Sequence, residues 1–243
     1  MTYCVGLRLN HGLVFMSDTR TNAGVDNFSS TRKLFTWETE GERLITLMTA
    51  GNLATTQSLI SLLDERSKTA ADRDPSILRE PTMFQVARLV GATLKEVISY
   101  SNASVTGTEE KFRATVIVGG QIKGGEPTMF MVYPEGNFVE VTTETPFFQI
   151  GETKYGKPIL VRGYDADMTF EDSVKLLMVS FDSTVKSNLS VGLPFDILCY
   201  ESDSFTVKHR KRVEVDDKLY LKISEGWSIA LKEAFASLPN YKI

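Results

Sequence analysis

The chain opens Met1-Thr2-Tyr3-Cys4-Val5-Gly6-Leu7-Arg8-Leu9, turns at Asn10-His11-Gly12, and runs on through Leu13-Val14-Phe15-Met16-Ser17-Asp18-Thr19-Arg20. A further piece, Thr31-Arg32-Lys33-Leu34-Phe35, completes this opening section. Residues 3–10 and 13–18 are rich in Val, Leu, Phe and Tyr and read as a β-hairpin about a tight turn. A small hydroxyl residue therefore follows the initiator methionine directly. A carboxylate ends the second strand, and a lysine begins the next.

These residue types meet the needs of one kind of chemistry. A threonine hydroxyl is a weak nucleophile and requires a base beside it. An N-terminal threonine carries its own, because a free α-amine has a reference pKa of about 7.7–8.0. That value lets it take a proton and return it near neutral pH. A nearby lysine ammonium disfavours a second positive charge and lowers the amine's pKa. A carboxylate then holds the lysine charged and in place. Thr2, Lys33 and Asp18 fit these roles once Met1 is removed, and the small Thr2 side chain suits that removal. Taken singly, a second-position threonine, an aspartate at a strand end and a lysine at a strand start are ordinary. Their arrangement about three strands is what points to catalysis.

Outward from this section, residues 19–32 are polar and read as a loop, and 33–37 with 43–49 read as a second hairpin. Residues 53–67 read as a helix with Thr56, Leu59, Ile60 and Leu63 on one face. A charged connection with Pro75 and Pro81 leads to a strongly amphipathic helix over 83–100. Residues 111–119, 127–133 and 137–142 read as strands in series, and Phe147-Phe148-Gln149-Ile150 as a short fourth. Thr169-Phe170-Glu171-Asp172 reads as a capping box that opens a helix to about Asn188. Strands follow at Pro194–Tyr200 and Ser204–Lys208, then a last helix over 223–237. Runs of strands alternating with helix pairs indicate two stacked antiparallel sheets with helices outside. Neither half has a complete core, so residues 1–243 are expected to form one domain.

Composition narrows the function classes. A net charge of −4 and a pI near 5.4 argue against a dedicated nucleic-acid or anionic-membrane binder. No apolar run reaches transmembrane length, and the N-terminus lacks the pattern of a secretory leader. Two widely separated cysteines, Cys4 and Cys199, suit a reducing cytoplasm. Cys4 reads as a small buried hydrophobe within its strand. His11 and His209 have no Cys or His neighbours at ligand spacing, so no metal is expected. Lys208-His209-Arg210-Lys211-Arg212 in an acidic chain reads as a solvated hairpin or a subunit contact. Gly151-Glu152-Thr153-Lys154-Tyr155-Gly156-Lys157-Pro158 nearly matches a phosphate-binding loop. However, Pro158 stands where a hydroxyl should reach Mg²⁺ and has no N–H to offer. A loop that starts a helix is the better reading, and no cofactor is expected.

Thr2-Tyr3-Cys4-Val5-Gly6, Ser17-Asp18-Thr19-Arg20 and Arg32-Lys33-Leu34-Phe35 resemble proteasome-type β subunits, members of the N-terminal nucleophile hydrolases. Ala50-Gly51-Asn52-Leu53-Ala54-Thr55-Thr56-Gln57 resembles that family's Ala-Gly-x-x-Ala-Asp-Thr-Gln stretch, with Thr55 in place of the aspartate. The resemblance covers most of the chain and is most specific in the N-terminal third. It implies an α+β fold, a four-layer αββα sandwich of two antiparallel sheets flanked by helices. It also implies that the Gly51 N–H forms an oxyanion hole. Asp182, in Phe181-Asp182-Ser183-Thr184, resembles the family's Arg-Asp-x-x-Ser-Gly segment, which supports the threonine. A helix cap or a solvent-facing carboxylate is the alternative for Asp182. The matching serine is Ser187 or Ser190, with Ser190 preferred because Val191-Gly192 follow it. Glu152 stands where the family has a supporting serine, and a carboxylate there would raise the amine's pKa.

The activity implied is that of a threonine peptidase acting on a peptide or unfolded protein. The implied assembly is a homo-oligomer, as a ring or a ring-like helical stack. The alternatives are a catalytically silent assembly subunit and an amidohydrolase of the same nucleophile class. An ATPase partner cannot be read from the residues.

Overall fold

Alternation along the first two strands sends their side chains to opposite faces. Tyr3, Val5, Leu7, Val14 and Met16 join one buried cluster, while Cys4, Leu13 and Phe15 join another. A computed structural model of the protein describes residues 2–22, 28–68, 75–103 and 112–242. Met1, Gly24 of the expected loop, part of the charged connection (69–74) and residue 111, the expected start of a strand, lie outside the described residues.

In chain order the first strands are β1 (Tyr3–Leu9), β2 (Gly12–Asp18), β3 (Arg20–Asn22), β4 (Phe28–Ser30), β5 (Leu34–Thr39) and β6 (Arg43–Gly51). Helices α1 (Leu53–Ser67) and α2 (Met83–Ala103) follow, then β7 (Ala114–Ile122), β8 (Thr128–Val132), β9 (Phe138–Glu140) and β10 (Phe147–Gly151). Helices α3 (Lys157–Gly163) and α4 (Phe170–Ser187), strands β11 (Phe195–Glu201) and β12 (His209–Val213), and helix α5 (Lys218–Ala236) complete the chain.

Two five-stranded antiparallel sheets result, ordered β10-β1-β2-β11-β12 and β5-β6-β7-β8-β9. Their inner faces meet through Phe15, Leu44, Met48, Ile117, Met129 and Tyr200. The outer face of the second sheet takes α1 and α2 through Ile45, Leu47, Leu59, Val86 and Val118. The outer face of the first takes α3 and α4 through Leu160, Leu177 and Phe181, and α5 through Tyr220. This is the four-layer αββα sandwich, with β6 and β7 showing the same alternation between inner and outer clusters as β1 and β2.

Glycines set the close approach of the sheets at one point. A Cβ on Gly119 would lie 2.5 Å from Met129 Cγ and 2.9 Å from Phe15 Cζ. A Cβ on Gly6 would lie 2.8 Å from Met129 Sδ. Phe15 and Met129 fill the room these two glycines leave.

Three expectations are corrected. Residues 19–32 are not all loop, since β3 and β4 pair as a short hairpin. Their polar composition hides backbone pairing that owes nothing to an apolar face. Ser204–Lys208 is not a strand. Asp203 and Phe205 take φ of 62° and 47°, which turns the chain, and the edge strand is the basic run that follows. Its charges keep an open sheet edge solvated. Helix α5 begins at Lys218, five residues ahead of the expected 223, because Asp217 accepts the N–H groups of Leu219 and Tyr220 as an N-cap.

The packing at Gly119 is directly testable. Gly119→Ala overfills the inter-sheet core and should cost about 1–3 kcal/mol. Gly226→Ala, on the open surface of α5 with nothing within 4 Å, should instead stabilise by about 0.5–1 kcal/mol. Thermal unfolding of both variants checks the opposite signs.

Candidate active site

Thr2 is placed by its neighbour strand. Tyr3 pairs with Gly151 across β1 and β10, and the N–H of Glu152 donates to the Thr2 carbonyl at 2.7 Å. Gly151 has φ +84°, and a Cβ there would stand 2.0 Å from the Thr2 carbonyl oxygen. Only glycine both turns the chain at that point and lets it approach so closely.

Asp18 ends β2 with no exposed surface. Its Oδ1 accepts from Lys33 Nζ at 2.7 Å and from the Tyr3 N–H at 2.9 Å, and its Oδ2 accepts from the Gly192 N–H at 3.4 Å. One carboxylate therefore holds the residue after Thr2, the lysine, and the loop that follows α4. Burial pushes the Asp18 carboxyl upward. The Lys33 ammonium and the two backbone N–H groups counter that push. Lys33 is also buried, and it spends a second hydrogen on the Arg20 carbonyl at 2.6 Å.

Gly51 ends β6 at φ +122°, where a Cβ would stand 2.4 Å from the Arg113 carbonyl. The next residue, Asn52, caps α1 by accepting the Thr55 N–H at 3.0 Å. Thr55 itself donates to the Phe112 carbonyl, tying the helix start to the segment that leads into β7. The positive end of the α1 dipole lies at this point. Thr2, Lys33, Gly51 and Gly151 line one cavity of about 430 Å³, together with Arg20 and Arg32. Four positions far apart in sequence thus meet at a single concave surface.

Asp182 does not join them. Its Oδ2 accepts from Lys186 at 2.8 Å and its Oδ1 from the Tyr220 hydroxyl at 3.3 Å, so it is buried between α4 and α5. It does not face solvent, and among the described residues it has no hydrogen bond to Thr2. The reason is helical spacing: Phe181 takes the face of α4 that packs on the sheet, which turns Asp182 toward α5. Ser187 is exposed and its hydroxyl donates back to the Ser183 carbonyl. Ser190 lies in the loop that Asp18 grips through Gly192, and its N–H donates to Asn188 Oδ1 at 3.0 Å.

Glu152, expected to add a negative charge near Thr2, is buried and hydrogen-bonded by two neutral donors. Its carboxylate accepts from the Lys154 N–H at 2.9 Å and from Asn188 Nδ2 at 3.0 Å. It thereby joins the loop after β10 to the loop after α4. Asn188 and Arg20 are contributors that the linear reading missed. Arg20 donates to the Leu189 carbonyl at 2.9 Å and so clamps the same loop from the other side. An asparagine at a helix end beside a short loop was the one available signal for Asn188. For Arg20 the signal was its place in the Ser17-Asp18-Thr19-Arg20 stretch, which gave it no role of its own.

Cys4 is wholly buried, with its Sγ on the Thr49 carbonyl, and burial together with the Asp18 charge pushes its thiol up. A thiolate is therefore disfavoured there. The turn before α3, which resembled a phosphate loop, is filled by protein. A Cβ on Gly156 would meet the Tyr3 hydroxyl at 2.2 Å and Ser180 Oγ at 2.4 Å. Among the described residues no cluster of three or more His, Cys, Asp or Glu side chains is spaced to hold a metal ion.

A family model described as proteasome subunit matches residues 2–197. Among solved structures, a Gly-1 mutant of Anbu from Hyphomicrobium sp. strain MC1 is 46% identical, covers 100% of both chains and superposes with a TM-score of 0.93. Anbu (ancestral beta-subunit) from Yersinia bercovieri is 43% identical over 99% of this chain and 100% of that one, with a TM-score of 0.92. A structure titled as the helical assembly of the Anbu complex from Pseudomonas aeruginosa is 44% identical over 99% and 98% of the two chains, with a TM-score of 0.91. A search of curated proteins found no match.

The Asp18–Lys33 pair sets a stability test. Lys33→Ala leaves a buried carboxylate without its counter-ion and should cost about 3–5 kcal/mol. A carboxyl whose native pKa lies above its unfolded value stabilises the native state at low pH and loses that contribution as pH rises. The deficit of the variant should therefore be smaller at about pH 5 than at about pH 8. Urea unfolding at the two pH values measures it, and a deficit that grows toward acid would contradict the assignment.

Proposed function

Since this chain belongs to the proteasome family of subunits, we propose that it acts as an N-terminal threonine peptidase once Met1 has been removed. The observation that carries this reading is the meeting of Thr2, Lys33 and Gly51 at one cavity, with Asp18 buried behind the lysine. In this reading Thr2 Oγ attacks the carbonyl carbon of a peptide bond, and the freed Thr2 amine takes the hydroxyl proton. Lys33 lowers the affinity of that amine for protons, and Asp18 orients Lys33. The Gly51 N–H stabilises the oxyanion of the tetrahedral intermediate. The scissile C–N bond then breaks, the leaving amine takes the proton from the Thr2 amine, and an ester to Thr2 remains. Water, deprotonated by the same amine, releases the acyl group. Ser190 supports Thr2 from the loop held by Asp18 and Arg20. No cofactor enters the scheme.

Two features support a self-associating protein. Helix α5 exposes Leu219, Leu221, Ile229, Leu231 and Phe235, which is more apolar surface than an isolated helix face ordinarily leaves to water. The Pseudomonas aeruginosa relative is described as a helical assembly. A ring or a ring-like helical stack of identical chains would enclose the cavity and limit entry to unfolded or peptide substrates. Two buried free thiols fit a cytoplasmic location, and no helix among the described residues is long and apolar enough to cross a membrane.

The second reading is a silent assembly subunit. It is favoured by Asp182, whose carboxylate accepts from Lys186 and Tyr220 and has no hydrogen bond to Thr2 or Lys33 among the described residues.

Intact mass before and after treatment with a threonine-directed epoxyketone separates the readings. A peptidase should show the loss of Met1 and one adduct per chain. Thr2→Ala should take no adduct, hydrolyse nothing and keep its oligomeric state. Retained Met1 with no adduct would transfer the weight to the assembly subunit, and an adduct on Thr2→Ala would remove Thr2 from the mechanism.

A further inference from the structure

The wall of the cavity beside Thr2 is cationic. Arg20, Arg32 and Lys33 all line it, and among the described residues no Asp or Glu side chain does. The three cations are not equivalent. Lys33 is neutralised from behind by Asp18 at 2.7 Å. Arg20 is engaged with the carbonyls of Leu189 and Val191, which accept its hydrogens. Arg32 is exposed and makes no ion pair or hydrogen bond among the described residues. Arg32 lies between this cavity and a smaller one lined by Asp196 and Arg210, and it is the basic residue of this wall that neither Asp18 nor a backbone carbonyl engages. A guanidinium matches a carboxylate with two parallel N–H bonds. The dipole of α1, whose N-terminus adjoins Gly51 and carries no acidic residue in its first turn, adds to the same sign of potential.

We infer that the cavity selects a substrate bearing a carboxylate side chain on the acyl side of the scissile bond, recognised by Arg32. This rests on the reading of Thr2 as the nucleophile, because that places the acyl-side residue beside this wall. The remaining lining suits such a guest. Gln57 offers a polar group, while Phe35 and Leu53 provide a limited apolar floor for the methylenes of a glutamate. A lysine or arginine side chain in the same place would meet like charge with no carboxylate among the described residues of the wall to answer it.

The test separates recognition from chemistry. Fluorescent peptides that differ only in Glu, Gln or Lys at the acyl-side position are bound to the Thr2→Ala protein and followed by anisotropy, so no turnover is needed. The glutamate peptide should bind at least about tenfold more tightly than its glutamine isostere. That advantage should shrink in about 0.5 M salt. Arg32→Gln should bring the ratio close to one, and Arg32→Glu should turn the preference toward the lysine peptide. Arg32 is exposed, so these variants should fold, and unchanged thermal unfolding verifies it. Equal binding of the glutamate and glutamine peptides, no binding of the glutamate peptide, or a preference that survives Arg32→Gln would overturn the inference. Epoxyketone labelling of the wild-type chain tests the nucleophile independently, so a failure of Thr2 chemistry is distinguishable from a failure of carboxylate recognition.

Discussion

Asp18 is a negative charge with no access to water, and much of the surrounding structure is what such a group demands. An isolated buried carboxylate is costly unless it is paired and hydrogen-bonded. Here it takes one ammonium and two backbone N–H groups, and each comes from a different segment. Tyr3 follows the proposed nucleophile, Lys33 precedes β5 in the other sheet, and Gly192 lies in the loop between α4 and β11. Satisfying a single carboxylate thus assembles three remote pieces of chain into one geometry. A partner missing from that set would leave the charge unpaired in a medium of low dielectric, where the cost is greatest.

The two-sheet sandwich is what makes this arrangement rigid. Lys33 can reach Asp18 only because the sheets are packed face to face, and the sheets approach because Gly6 and Gly119 leave space for Phe15 and Met129. Close packing transmits small displacements, so a change at this inter-sheet contact would be felt at the far end of β2. At the edge of the cavity, Gly51 and Gly151 perform the equivalent local task. Each turns the backbone where a side chain would collide with a neighbouring carbonyl.

The loop after α4 shows how a departure from a family pattern can be absorbed. Glu152 replaces a small hydroxyl residue, and its carboxylate is accommodated by the Lys154 N–H and the Asn188 amide. Asn188 in turn accepts the Ser190 N–H, Arg20 holds the Leu189 carbonyl, and Asp18 takes the Gly192 N–H. The loop is restrained at successive residues by groups from three elements. The carboxylate that looked disruptive in the linear sequence serves as a tie between two loops.

The amino-acid sequence alone determined the elements and the layers. Period-2 alternation in β1 and β2, the amphipathic stripe of α2 and the Thr169 cap are local properties, and local physics is enough to read them. It also placed Thr2, Asp18 and Lys33 in one functional group, because the chemistry of an N-terminal nucleophile needs those residue types. Backbone pairing in β3 and β4, the turn through Asp203 and Phe205, and the Asp217 cap were less legible, since they depend on polar groups that carry no periodic signal. Only the tertiary structure decided where Asp182 points, what Glu152 holds, and that Arg20 and Asn188 belong to the site. Those outcomes depend on which helix face meets the sheet and on which loops lie side by side. Such relations join residues 36 (Glu152 and Asn188), 38 (Asp182 and Tyr220) and 169 (Arg20 and Leu189) positions apart, and no spacing within the chain encodes them.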